Sequence, residues 1–190
     1  HYGFLKLMEH FNVDVSKLNI VDMNSTDGAA AFAQGSVDVY CGWGGSLRRA
    51  METGNVLLTG KEKEAAGILE FDGITAPSKF TAEHSDVVTK FLKVTADANG
   101  MWSEGSKKSE MLPVIAKDAG LDEKAAADSL ATFEFPTIEE KLSAKWLGGG
   151  VQTYLKGVAD VFAKTGNIPK VLPSYDAAVN AEPLKAAGAM

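Results

Sequence analysis

The chain has one cysteine, three histidines and no long apolar run, and each scarcity removes a class of function. A single thiol, Cys41, cannot close an internal disulfide or build a multi-cysteine zinc or iron–sulfur site. His1, His10 and His84 are too far apart in sequence to suggest a metal cage. No stretch approaches the roughly 18 apolar residues of a membrane span, and no signal peptide is visible. Basic residues are also short: 19 Lys+Arg against 25 Asp+Glu leave a net charge of −6. That balance disfavours a nucleic-acid backbone or an anionic membrane as the main partner, while a small anion remains open to a pocket with local donors. Motifs for catalysis are missing too, because the sequence holds no G-x-S-x-G, no H-E-x-x-H and no phosphate-binding loop.

What remains is an ordinary globular composition, 45% hydrophobic and 23% charged over 190 residues. Apolar residues at Phe4, Leu5, Leu7, Met8 and Phe11 predict an amphipathic helix over 2–11 that starts without a cap of its own. Short apolar runs at 18–23, 37–41 and 56–58 and an extended stretch at 68–76 read as strands. Helices predicted over 28–34, 46–52 and 61–66 fall between them. Such alternation over short loops predicts a parallel sheet covered on both faces. From Thr81 onward the pattern becomes almost wholly helical, with helices predicted over 86–101, 107–119, 122–132, 137–147 and 151–164. Thr137 and Glu140 form a capping-box pattern, Asp122 sits at an N-cap position, and Gly120, Gly148 and Gly166 follow helix ends. The tail from Asn167 carries three prolines and is expected to wrap as extended chain and short turns.

Three places draw attention as binding candidates. The turn Tyr40-Cys41-Gly42-Trp43-Gly44-Gly45-Ser46 joins an expected strand to an expected helix, where free N–H groups and a positive helix end gather. It is readable either as a tight turn or as a ligand contact with Trp43 as a pocket wall. Asn24-Ser25-Thr26-Asp27-Gly28 has the same placement, and helix capping alone accounts for it. Asp72, between Phe71 and Gly73 in an apolar stretch, would need a partner if buried and could meet a ligand cation. Cys41 reads as a small core residue, and Trp146 as a core tryptophan before a loose helix stop.

Several phrases together resemble the periplasmic substrate-binding proteins of ABC importers, in the taurine, alkanesulfonate and nitrate branch, and taurine binders above all. They are His1-Tyr2 with Leu5-x-x-Met8, the run from Ala31 through Tyr40 with Trp43, Thr53 to Thr59, Phe80 to Val88, and Gly166-Asn167-Ile168-Pro169. The resemblance implies an α/β fold of the periplasmic binding protein type II class, two α/β lobes with a hinge and an N-terminal half-lobe absent from a C-terminal fragment. Residues 1–68 would form the second α/β lobe, and 69–190 the mostly helical C-terminal part of the first.

It further implies a periplasmic, non-enzymatic transport component with no cofactor, monomeric in full-length form, which captures a small anionic or zwitterionic ligand and passes it to the membrane permease. Taurine, a sulfonate and an ammonium two carbons apart, is the leading ligand. Alkanesulfonate, nitrate or a pyrimidine or thiamine precursor are alternatives, as is an enzyme acting on such a precursor or a sensory module using the same cleft. Residues implied at the site are His1 and Tyr2 at a helix start, Asn24, Gly42 and Trp43 at the turns, and Asp72 facing the ammonium. Gly73-Ile74-Thr75-Ala76-Pro77 after Asp72, and Gly44-Gly45 after Trp43, depart from the family pattern.

Overall fold

A computed structural model describes all residues, 1–190. It contains helices and connecting chain only. In order these are α1 (Tyr2–His10), α2 (Ser25–Ala33), α3 (Gly44–Met51), α4 (Gly60–Ala65), α5 (Ser78–Glu83), α6 (Ser85–Glu104), α7 (Lys108–Ala119), α8 (Glu123–Leu130), α9 (Ile138–Leu142), α10 (Gly150–Lys164) and α11 (Glu182–Gly188), with 3-10 turns at Val15–Lys17 and Asp176–Ala178.

The expected α/β architecture, two α/β lobes with a hinge, is therefore corrected: no β-strand forms anywhere. The runs at 18–23, 37–41, 56–58 and 68–76 are unladdered chain. Many of their apolar side chains lie open, with Val21 51%, Leu57 70% and Ile74 60% exposed, although Ile68 is buried. The physical reason lies in what a strand requires. A helix satisfies its backbone from within, whereas a strand's N–H and C=O groups are satisfied only by a neighbour at the right register. A short apolar run is compatible with a buried strand but does not supply that neighbour, and here none is alongside.

Helix prediction succeeds for the complementary reason. Asn24, Thr59, Asp122 and Thr137 each accept a backbone N–H from the first turn that follows, so α2, α4, α8 and α9 start where a side-chain acceptor stands ready. Thr59 with Glu62, and Thr137 with Glu140, complete reciprocal capping boxes. Helix α9 is shorter than the 137–147 expected, because Ser143 turns extended and the chain then folds into tight turns up to Gly150. A side chain at Gly150 would strike the Lys145 carbonyl, which makes glycine obligatory at that close approach.

The chain divides into two compact units. The first comprises His1–Leu69 and Leu112–Phe133, and the second Glu70–Met111 and Glu134–Met190. In the first, α2 packs on α3, and α3 on α8. In the second, α11 packs on both α6 and α9, and α5 on α6. The buried hydrophobic side chains are mostly alanines, with Ile68 and Leu184 the large ones. Alanine contacts allow helices close together but remove little apolar area from water per residue.

Candidate functional site

Within the first unit, Tyr40 ties two turns together. Its hydroxyl donates to the Ser25 carbonyl at 2.9 Å and lies 2.8 Å from the Ser25 hydroxyl, at the first residue of α2. Its ring covers Gly28 and Gly42: a Cβ at Gly28 would come within 2.8 Å of the ring, and one at Gly42 would collide with the hydroxyl. Phe32 stands 6.4 Å away, centroid to centroid. A half-buried tyrosine thus fastens the start of α2 to the chain that enters α3, and the two glycines are the space it occupies.

Sequence reasoning singled out Gly42 and named Tyr40 as the first residue of that turn, but gave Tyr40 no role. The available signal was an aromatic residue with glycines on both sides in sequence, Gly28 and Gly42.

The two helix starts differ in how they are capped. Asn24 caps α2 by accepting from Asp27 N at 2.9 Å, and its amide donates to the Asp27 carboxylate. Trp43, the N-cap of α3, offers no capping side chain. The first-turn N–H groups of α3 consequently lack the side-chain acceptor that α2, α4, α8 and α9 possess. With the positive end of the helix dipole, such a terminus favours an anion.

A cleft of about 360 Å³ runs between α2 and α3 and is lined by Thr26, Ser46, Arg48, Arg49, Glu52 and Leu121 among others. Arg48 reaches Glu52 at 3.4 Å on its own helix. Two hydroxyls, two guanidinium groups and one carboxylate can hold a small polar solute by hydrogen bonds and charge. None of the arrangement presents a nucleophile held by a base.

The sequence-derived site residues fall as follows. Asn24, Gly42 and Trp43 belong to the two turns that Tyr40 joins, and Trp43 is 70% exposed. His1 is the N-cap of α1, without a side-chain capping bond, and Tyr2 is its first residue, in the same unit. Asp72 lies in the second unit on extended chain, exposed. Its neighbour Phe71 makes edge-to-face contacts with Trp146 at 4.9 Å and Tyr154 at 5.1 Å, so an aromatic cluster anchors the segment that presents the carboxylate. Trp146 is half-buried in that cluster, and Cys41 is exposed, against the expectation of a core thiol.

The sequence profile of the NMT1/THI5 like family matches residues 2–105, more than half of the chain and including both turns, Tyr40 and Asp72. The chain belongs to the NMT1/THI5 like family. It is also similar to the taurine-binding periplasmic protein of Escherichia coli (strain K12), 21% identical over 179 residues. That match covers 92% of this chain and 55% of the relative, so the chain spans about half the length of the curated relative it matches. Family and relative together support a substrate-binding role in general. No helix is long and apolar enough to cross a membrane.

Proposed function

We propose that this member of the NMT1/THI5 like family is the solute-binding component of a periplasmic ABC import system, with taurine as its solute. The observation that carries the reading is the pair of turns fastened by Tyr40 beside the cleft between α2 and α3, in a chain similar to a taurine-binding protein over nearly its whole length. A sulfonate needs N–H donors, and the uncapped first turn of α3 offers donors of that kind. In this reading His1, Tyr2, Asn24, Gly42 and Trp43 serve the anionic end.

Taurine's ammonium needs a carboxylate, and we assign that role to Asp72. Its exposure keeps the carboxylate available. The ligand is held by hydrogen bonds and charge alone and leaves chemically unchanged; delivery to a membrane permease follows from the transport role.

The test is a pair of calorimetric titrations. Asp72→Ala should weaken taurine at least tenfold, about 1.4 kcal/mol, and leave ethanesulfonate nearly unchanged, because only taurine has a cation to lose. Equal losses for both ligands remove Asp72 from the site. Failure of the unsubstituted protein to bind either ligand removes the sulfonate reading altogether.

A further inference from the structure

Helix α6 carries an apolar stripe that nothing in the second unit covers. Val87, Phe91, Val94 and Met101 are 51%, 55%, 68% and 42% exposed, although α5 and α11 pack on other parts of the same helix. At about 100° per residue, Val87, Val94 and Met101 fall within about 20° of one line. Phe91 and Ala98 flank that line on one side, and Lys90 and Asp97 on the other. Isolated exposed apolar residues need no explanation, but an aligned set on a 20-residue helix marks a contact face.

We propose that this face pairs with the same face of a second copy of the chain, the two α6 helices running antiparallel about a two-fold axis at Val94. Self-complementarity is what selects this occupant. Under that axis Val94 meets Val94 of the second copy, and Val87 meets Met101, seven residues to either side. Across the pair Phe91, the largest side chain of the stripe, falls on the same flank as Ala98, the smallest, and within about 1.5 Å of its height, so bulk meets space. On the other flank Lys90 falls within about 1.5 Å of the height of Asp97, so opposite charges meet across the antiparallel pair.

The charges are also prepared within each helix. Asp86 holds Lys90 at 3.5 Å and Lys93 holds Asp97 at 2.7 Å, so the cross-pair would extend two ion pairs into an alternating row. Sequence spacing alone produces this match in size and in sign about one axis. The contact is small: a 14-residue stripe is about 21 Å long, and one helix pair covers less than the ~800 Å² per partner of a standard stable interface. The pairing is therefore weak and concentration-dependent.

Sedimentation velocity of the 190-residue chain, over a concentration series spanning the micromolar range, tests it. A monomer–dimer equilibrium is expected, weakened at least tenfold by Val94→Glu with an unchanged circular dichroism spectrum. Lys90→Asp and Asp97→Lys should each weaken the dimer, and the double substitution should restore it. In a Cys41→Ser background, Val94→Cys should oxidise to a disulfide-linked dimer, since the axis places the two introduced thiols face to face. A monomer throughout, a dimer indifferent to Val94→Glu, no restoration by the charge exchange, or a longer form of the chain in which the thiol introduced by Val94→Cys is shielded within a monomer would each overturn the proposal.

Discussion

The two units solve the same problem with different materials. The first is closed by a polar clasp, in which Tyr40 reaches across two glycines to bond the start of α2, so its order depends on one side chain and the space left for it. The second is closed by aromatic edges and a glycine-tightened turn, with Phe71 against Trp146 and Tyr154 and Gly150 against the Lys145 carbonyl. A clasp that is partly hydrogen bond positions chain ends with direction; an apolar cluster anchors a segment without fixing which groups face outward.

Substitutions can break this contrast from either side. The largest effect is expected from Tyr40→Ala, which loses the ring that fills the space over Gly28 and Gly42 and both contacts to Ser25. A loss of about 2–4 kcal/mol in the first unit, read by chemical denaturation, is expected, with protection of second-unit amides in hydrogen exchange unchanged. Next comes Gly150→Ala, which forces the new Cβ against the Lys145 carbonyl and should destabilise the second unit by about 1–3 kcal/mol while leaving first-unit amides protected. Tyr40→Phe keeps the ring and removes only the hydroxyl, so about 1 kcal/mol is expected, and the ratio of this loss to that of Tyr40→Ala divides the clasp into its polar and apolar parts.

The smallest effect is shared by both units. The Thr59 backbone N–H, then its hydroxyl, hold the Glu62 carboxyl below its ordinary value, and Thr137 does the same for Glu140. A carboxyl lowered by folding contributes stability that is complete above its ordinary value and disappears as pH falls through the lowered folded value. Glu62→Gln and Glu140→Gln should each flatten the acid limb of a melting-temperature profile by a similar small amount, one in each unit. A flattening confined to one of them would show that the other box does not persist in solution.

The same contrast between local and distant interactions decides what could be read from the sequence. Asp122 and the Thr137–Glu140 box announced helix starts correctly because a cap and its N–H groups are three residues apart, whereas the Thr59–Glu62 box went unread and α2 begins at Ser25, earlier than the expected 28. The expected strands at 18–23, 37–41, 56–58 and 68–76 did not form, since pairing depends on a neighbour that a short apolar run cannot specify. Helix α5 escaped notice because Pro77 stands at its N-cap without a side-chain acceptor. At the candidate site, Asn24, Gly42 and Trp43 were legible from their turns. The clasp made by Tyr40 was not, because its partner Ser25 lies fifteen positions away. Thr26 and Ser46 were named within those turns, but Arg48 and Arg49 were missed for a related reason: only the packing of α2 on α3 makes these residues walls of one cleft.

The most direct measurement is a backbone amide NMR titration of the 190-residue protein with taurine, followed by recovery of the ligand. One-site saturable shifts are expected at Ser25–Asp27 and Gly44–Ser46, with taurine recovered intact. Saturating taurine that leaves those amides unmoved, or a recovered ligand that has been chemically altered, would contradict a binding role for the two helix starts.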